Sequence, residues 1–242
     1  LRNGFSQDAS ISVKGGGPGS RYYTSLAYTK QTGTLIGTDF SRVAGKISLD
    51  NDISSRFRIV SNLDYGFTTN NITNGVYAMA LFAPPTESPY NTDGSYSDLG
   101  SINTAYQGYQ NPLAVASGIN RGKSVTLLGS ISGEYDIASN LKFRSVVSVN
   151  YGTYKQLNYV PSYVKINSFY GSVSSNGGTG SQGNSESVNS FFENTLTWDK
   201  SFNANHRLTA LAGTSWERYT ASYFSAEGSG YPDDDFLNNL SS

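Results

Sequence analysis

The chain has 242 residues with 17 basic and 18 acidic side chains, so its formal net charge is −1. Because the two signs are mixed along the sequence, there is no basic stripe for nucleic acid and no polybasic segment for a membrane surface. The lack of cysteine excludes disulfide bonds, thiolate nucleophiles and thiolate metal sites. No apolar run approaches the roughly 18 to 20 residues that a spanning helix needs, so any membrane crossing would use strands.

The residue composition indicates an all-β protein. The chain holds 26 glycines, 18 tyrosines and 12 phenylalanines against one methionine, and only 14% of its residues are charged. Aromatic strands joined by Gly, Ser and Asn turns have this composition, whereas amphipathic helices do not. The start at Leu1 without an initiator Met or secretory signal, and the polar end "YPDDDFLNNLSS", suggest a piece of a longer or processed chain.

Taken in chain order, the sequence predicts eight strands with turn residues between them. Their bounds are Phe5–Gly15, Tyr22–Gln31, Arg42–Asp50, Arg56–Thr68, Gly122–Tyr135, Leu141–Tyr154, Val188–Lys200 and Arg207–Tyr223. We expect neighbouring strands to pair antiparallel in sequence order, without a Greek-key crossover.

The connections between these strands alternate in length. Short turns, "GGPGSR", "NDISS", "DIASN" and "SFNANH", join the strands within successive pairs. The pairs themselves are separated by "TGTLIGTDFS" and by the long segments Thr69–Arg121 and Lys155–Ser187, and a tail follows Tyr223. Short turns at one rim of an up-and-down sheet and long loops at the other are typical of outer-membrane β-barrels.

Alternation within the strands supports a transmembrane barrel, in which apolar side chains face outward and polar side chains face inward. Odd positions in Arg56–Thr68 and Leu141–Tyr154 are largely apolar, and even positions are charged or polar. The odd positions predicted to face lipid include Phe57, Ile59, Leu63, Tyr65, Phe67, Phe143, Val147 and Val149. Aromatic residues near strand ends are candidates for interfacial girdles: Tyr22, Tyr65, Phe67, Tyr135, Tyr151, Trp198 and Trp216.

Two other architectures are compatible with alternation alone. A soluble or surface-exposed β-sheet, such as a binding module or adhesin, also alternates along its strands. A complete eight-stranded barrel with pore or enzymatic activity would pair its first strand with its last, whereas a segment of a larger barrel would leave both edges open. The one-sided short turns and the long strands favour the membrane barrel over the soluble sheet.

The run "SISVKGGGPGSRYYTSLAYTKQTGTLIGTDFSRVAGKISLD" resembles the early barrel of SusC/RagA-type TonB-dependent transporters. The resemblance continues in order through "NTDGSY", "NPLAVA", "SFFENTLTWDKSFNANHRLTALAGTSWE" and "PDDDFLNNLSS", and so spans nearly the whole chain. It implies that residues 1–242 are part of a 22-stranded barrel in the outer membrane of a Gram-negative bacterium. The plug domain, the TonB box and most strands would lie outside this chain.

The same resemblance implies a function and its partners. Transporters of this type import glycan fragments, peptides or other bulky nutrients with energy from the TonB complex, and a SusD-like surface lipoprotein acts as their lid. The resemblance also implies contact with outer-membrane lipid and none with nucleic acid.

The residues themselves indicate no enzyme and no cofactor. His206, the only histidine, lies in a tight turn without the partners that a metal site or a Ser/His pair would need. The run Asp233–Asp235 is predicted to be a solvated acidic tip, with a calcium site as the less favoured alternative. "NTDGSYSD" lacks the ligand spacing of a calcium loop and is predicted to be a turn.

Substrate or lid contacts are therefore expected in the long loops and on the inner face of the barrel. Ring-bearing candidates in Thr69–Arg121 are Tyr77, Phe82, Tyr90, Tyr96, Tyr106 and Tyr109, which would stack on ligands or pack the loop itself. Candidates pointing to the lumen are Arg58, Asp64, Glu134, Lys142, Arg144 and Glu193. The apolar run "VYAMALFAPP", Val76–Pro85, predicts an ordered loop with one or two helical turns that end before the prolines.

Overall fold

The computed structural model describes residues 1–73, 75–99, 109–164, 166–168, 171–173, 178–203, 205–235 and 240. Its strands are β1 (Phe5–Gly17), β2 (Ser20–Thr32), β3 (Asp39–Ser54), β4 (Phe57–Asn71), β5 (Ile119–Ala138), β6 (Leu141–Val160), β7 (Ile166–Ser168), β8 (Gly171–Val173), β9 (Thr179–Asn203) and β10 (His206–Ser229). Two short helices, α1 (Val76–Phe82) and α2 (Pro112–Ala116), lie between β4 and β5.

The predicted all-β, up-and-down topology is confirmed. Eight strands form one antiparallel sheet in the order β1-β2-β3-β4-β5-β6-β9-β10, and no crossover interrupts it. The small hairpin β7–β8 lies in the connection between β6 and β9 and was not predicted. Within the described residues β1 pairs only with β2 and β10 only with β9, so the eight strands do not close on themselves.

The number and order of the main strands were predicted better than their first and last residues. The seventh predicted strand begins at Thr179 instead of Val188, and the eighth continues to Ser229 instead of ending at Tyr223. The added segment "TGSQGNSES" is rich in Gly and Ser, which have low strand propensity. It remains a strand because each of its residues pairs with β6 or β10, starting with Thr179 opposite Val160 and Ser229.

The four short turns lie at one end of the sheet, which we call the turn rim, and the long connections lie at the other, the loop rim. One face of the sheet, the apolar face, carries the side chains that alternate through Ile47, Leu63, Ile131 and Val147. These residues are about half exposed, and their register places them side by side on β3 to β6.

The pairing places all the predicted girdle residues on the apolar face. Tyr22 lies opposite Leu49, Tyr65 opposite Leu127, and Trp216 opposite Phe192. Phe67, Tyr135, Tyr151 and Trp198 lie on the same face by the same register. Such a surface is costly in water and suited to lipid.

The described buried side chains are concentrated outside the sheet, in the connections at the loop rim. Val76, Ala114, Val115 and Val164 form a small hydrophobic cluster, and Val160 and Tyr96 pack against it. The protein therefore builds its described core between loops, while the sheet exposes both of its faces. Neither α1 nor α2 is long and apolar enough to span a membrane.

A charge introduced on the apolar face tests this assignment. In the protein folded into a bilayer, Ile131→Arg is expected to lower the free energy of unfolding by about 2–4 kcal/mol, because arginine is placed among the side chains of the apolar face. The measurement is a denaturant titration of the protein folded into phosphatidylcholine vesicles. The matched control is Ser130→Arg on the other face, which we expect to cost much less. Equal losses in both variants would contradict the assignment.

Candidate functional site

The residues predicted to face the lumen share the face opposite the apolar face, which we call the polar face. Arg58 lies directly opposite Glu134, which lies opposite Arg144 in turn. Lys142 lies on this face opposite Asp136, Asp64 lies on it opposite Leu128, and Glu193 lies opposite Val146 on the same side. The sequence period therefore brings these residues to one surface, although they come from β4, β5, β6 and β9.

Ion pairs connect the charges of the polar face near the turn rim. The Arg58 Nε donates to Asp50 Oδ1 at 2.7 Å, and the Arg21 guanidinium lies 2.8 Å from Asp50 Oδ2. Glu134 lies 3.5 Å from Arg144 and 3.8 Å from Lys142.

A second part of the polar face repeats this pattern of opposite charges. The Lys46 Nζ lies 3.1 Å from Asp64 Oδ1, and these two residues are direct partners across β3 and β4. Each exposed pair contributes little to stability on its own. Together the pairs leave the described polar face with both signs interspersed, without a strong field of one sign.

At the loop rim, the described residues of the connection between β4 and β5 include two short helices. α1 begins after Gly75, whose φ of 76° is the left-handed conformation that favours glycine, and ends at Phe82 ahead of Pro84. The predicted short helix is thus present, and Val76 buries its side chain in the loop cluster. The order of the loop as a whole stays a prediction, because residues 74 and 100–108 lie outside the described residues.

Asn111 joins the two halves of this connection. Its side-chain oxygen accepts a hydrogen bond from the Leu113 N–H at 3.0 Å and so caps α2, which starts with Pro112. Its amide nitrogen donates to the Pro89 carbonyl at 2.7 Å and to the Ser97 carbonyl at 3.2 Å. The residue is 5% exposed, so these bonds satisfy a polar group that would be costly to bury alone.

Most described rings that were predicted to meet ligand pack within the loops. Tyr96 stacks between Tyr90, at 5.5 Å between ring centroids, and Tyr163, at 5.3 Å. Phe82 and Tyr109 contact one another at 4.9 Å. Tyr106 lies outside the described residues.

One predicted ring, Tyr77, instead faces solvent. On α1, Tyr77 is 60% exposed and Leu81 is 65% exposed, and the outer side of Phe82 is accessible as well. These side chains form an exposed apolar patch, which we call the α1 patch.

The acidic run after β10 is not the purely solvated tip that the sequence predicted. Asp234 is half-buried and accepts three hydrogen bonds: from the Tyr159 hydroxyl at 2.6 Å, the Ser162 backbone N–H at 2.8 Å and the Ser162 hydroxyl at 2.6 Å. It therefore ties the segment after β10 to the end of β6 and the loop that follows. Sequence reasoning missed this contact because Asp234 and its partners are far apart in the chain.

The electrostatics of Asp234 follow from the same contacts. Burial alone would raise the pKa of the carboxyl, but the hydrogen bonds from Ser162 and Tyr159 favour the charged form more strongly. The pKa of Asp234 is therefore below its ordinary value. The neighbouring ring of Tyr231 is buried, and it packs edge-on against Tyr159 at 5.4 Å.

The other predicted chemical features are turns. Asp93 in "NTDGSYSD" accepts hydrogen bonds from the Ser95 hydroxyl at 2.6 Å and the Ser95 N–H at 2.9 Å, which lower the pKa of Asp93. His206 is exposed, and its backbone N–H donates to the Asn203 side chain. Across the residues that the structure describes, no three His, Cys, Asp or Glu side chains are grouped to hold a metal ion.

Comparisons with known proteins agree with the β-barrel fold that this sheet indicates. No family model matches the chain. It is 27% identical over 238 residues to TonB-dependent receptor P26 of Formosa agariphila, a match that covers 97% of this chain and 23% of that protein. TonB-dependent receptor P3 of the same organism is 26% identical over 230 residues, with 89% of this chain and 22% of that protein covered.

Solved structures show the same fold. The chain superposes on the RagAB peptide transporter with a TM-score of 0.75 and 18% identity, covering 96% of this chain and 26% of that one. The closed-closed state of the RagAB peptide importer gives a TM-score of 0.75 at 19% identity.

The resemblance predicted from the sequence is thus confirmed: this chain is similar to one segment of the barrel of a SusC/RagA-type TonB-dependent transporter. The chain spans about a quarter of the length of these relatives. These relatives are named as receptors and transporters, not as enzymes.

Removing the hydrogen bonds to Asp234 tests its role. In Asp234→Asn, the amides of residues 162–164 are expected to exchange hydrogen faster at pH 7, because an amide accepts fewer and weaker hydrogen bonds than a carboxylate. Hydrogen exchange with mass spectrometry measures this. Asp235→Asn is the control, since its neighbouring carboxylate makes none of these three bonds to Tyr159 and Ser162. Unchanged exchange in Asp234→Asn would contradict the role.

The contact also has a predicted dependence on pH. Because the folded pKa of Asp234 is depressed, its contribution is fully present above the ordinary carboxyl pKa of about 3.9 and is lost as pH falls through the lower folded value. After correction for intrinsic exchange rates, protection of residues 162–164 should be constant between about pH 5 and 7 and fall below about pH 4. Asp234→Asn should lack this acid step.

Proposed function

We propose that residues 1–242 are part of the barrel domain of an outer-membrane active transporter that imports bulky nutrients. In this proposal β1 and β10 pair with further strands of a 22-stranded barrel, and a plug domain and a TonB-contacting region lie elsewhere in the protein. A SusD-like surface lipoprotein covers the loop rim, and the TonB complex supplies the energy.

The observation that carries the proposal is the open sheet with one exposed apolar face and one charged face. A soluble binding module or adhesin would cover side chains such as Ile131 and Val147 with a second layer, but these are 59% and 50% exposed. The eight-stranded sheet also leaves two unpaired edges, which soluble proteins protect and barrels remove by closure. A segment of a larger membrane barrel accounts for both features.

The proposed substrate class is supported by the polar face and by the relatives. The RagAB proteins are described as peptide transporters and importers, and they share this fold. On the described polar face, basic and acidic groups pair with each other, so the surface is suited to neutral or mixed-charge cargo. We therefore propose peptides or glycan fragments as cargo.

Uptake measurements test the proposed function. Cells that express the full-length protein should accumulate labelled oligopeptides or oligosaccharides, and deletion of the gene or depletion of TonB should abolish this accumulation. Deleting the gene of an unrelated outer-membrane receptor is the control. Uptake of both cargo classes that continues unchanged without the gene and without TonB would overturn the proposal.

The α1 patch is the proposed contact for the lipoprotein lid or the substrate. Docking would bury the exposed rings and Leu81, so truncating them should weaken it without touching a strand. Leu81→Ser with Phe82→Ser is expected to weaken lipoprotein copurification and uptake, and deletion of Val76–Ala83 should have a larger effect because it also removes Val76 from the loop cluster. The measurement is copurification of the lipoprotein, together with the amount of folded barrel.

The matched control for this experiment is Ile36→Ser. Ile36 is a similarly exposed apolar residue in the connection between β2 and β3, away from α1. Normal lipoprotein association and normal uptake in the Leu81/Phe82 variant would contradict the contact, and so would equal losses in the Ile36 variant.

A further inference from the structure

Two lysines lie directly opposite each other on the apolar face. Lys123 of β5 and Lys155 of β6 are Cα partners, and both are exposed. From the turn rim, this face of β5 presents Tyr135, Ile131, Leu127 and Val125 before it reaches Lys123. On β6, the corresponding positions are Phe143, Val147, Val149, Tyr151 and Thr153 before Lys155. The apolar side chains of this face form a band across the strands, which we call the apolar band. The two lysines lie at its loop-rim edge on both strands.

This arrangement is unfavourable unless an anion lies nearby, because like charges directly opposite each other destabilise a strand pair. No ion pair of either lysine occurs among the described residues, although eight pairs of opposite charge connect other side chains there. A third cation, Arg121, follows on the same face and donates to Asn71 at 3.2 Å.

Acidic groups on this face only partly offset the cations. Asp39 accepts a hydrogen bond from Asn71 at 2.7 Å and so lies near Arg121. Glu186 of β9 lies opposite Thr153 and is therefore diagonal to Lys155 across the two strands. Among the described residues, the two side chains form no ion pair. The described edge of the band around Lys123 and Lys155 is thus positively charged.

An apolar groove lies below the pair on the same strands. It has a volume of about 430 Å³ and is lined by Leu63, Gly129, Ile131, Val147 and Val149, among others. Its floor is Gly129, which has no side chain and is flanked by Leu63 and Val149 in the sheet. Gly129 is roughly 20 Å from Lys123 along β5, at about 3.3 Å per residue.

We propose that Lys123, Lys155 and the groove at Gly129 form a binding site for one phosphorylated lipid of the outer leaflet. The two ammonium groups bind the phosphate at the edge of the apolar band, and an acyl chain extends down the apolar face into the groove. The proposal rests on the proposed function in two respects: the apolar face meets the membrane, and the loop rim lies at its outer surface.

The geometry favours a lipid over a free anion. A phosphate monoester supplies the negative charge that the lysine pair lacks, and its attached chain can occupy the groove, which β5 and β6 line together with β3 and β4. The glycerol and one acyl chain of the lipid would together span the roughly 20 Å from the lysines to Gly129. A free phosphate would leave the groove unexplained.

The test measures lipid binding to the purified full-length protein in detergent by native mass spectrometry. The probes are dimyristoyl phosphatidic acid, dimyristoyl glycerol with the same chains but no phosphate, and inorganic phosphate. Phosphatidic acid should bind, and Lys123→Gln with Lys155→Gln should weaken its binding about thirtyfold, because each surface lysine contributes roughly fivefold. The control carries Lys14→Gln and Lys200→Gln, which remove the same charge in β1 and β9.

A second variant tests the groove separately. Gly129→Leu fills it with a side chain whose Cβ meets only the Leu63 Cδ1, at an ordinary contact distance of 3.8 Å. It should weaken phosphatidic acid binding while leaving both lysines in place. Folding of each variant is checked by its resistance to unfolding in unheated dodecyl sulfate, and Lys123→Gln and Lys155→Gln are tested singly if the double variant does not fold.

Three results would overturn the proposal. These are equal phosphatidic acid binding by the Lys123/Lys155 and Lys14/Lys200 variants, binding of dimyristoyl glycerol as tight as that of phosphatidic acid, and binding of inorganic phosphate as tight as that of the lipid. Unchanged binding in Gly129→Leu would overturn the groove as the acyl site. Because none of these measurements involves uptake, failure of the transport proposal and failure of the lipid site are distinguishable.

Discussion

The structure depends on one constraint: a strand that crosses a bilayer must satisfy its backbone hydrogen bonds with neighbouring strands, because lipid offers none. This explains why β9 remains paired through the Gly- and Ser-rich segment from Thr179, where side-chain propensity alone predicts a loop. It also explains why the sheet tolerates little core of its own, since its stability comes from a continuous antiparallel ladder and from lipid on one face. The described buried cluster around Val76 and Val164 then serves the loops, which must stay ordered in water at the loop rim.

The same constraint explains which features could be predicted from the sequence. Strand identity, topology and the face of each side chain follow from a period of two, so Arg58, Glu134 and Arg144 were correctly assigned to one surface from the sequence alone. The family resemblance came from ordered motifs such as "NPLAVA", whose Asn111 and Pro112 form a helix start that is recognisable locally. Features that depend on neighbours close in sequence were therefore predictable.

Features that depend on distant neighbours were not. Two such features are the contacts of Asp234 with Tyr159 and Ser162 and the stacking of Tyr163 on Tyr96. Each joins segments that are separated by other strands, so no local sequence pattern predicts it. The strand ends were missed for a related reason, because pairing extends β6, β9 and β10 beyond the point where alternation fades. The binding roles of Tyr77 and of the charges on the polar face remain proposals, since they concern partners outside the chain.

The distribution of charge separates the tasks of the two faces. On the polar face, acids and bases are interleaved, as at Lys46 with Asp64, so this face is polar without a strong field of one sign. On the apolar face, Arg218 of β10 lies level with Val149 of β6, and Lys123 lies opposite Lys155 with no ion pair to either lysine among the described residues. The polar face pairs its charges within the protein. Unpaired charges on the apolar face therefore suggest that a group in the membrane balances them. Lys123 and Lys155 are therefore better understood as half of a contact with lipid than as charges that the protein balances by itself.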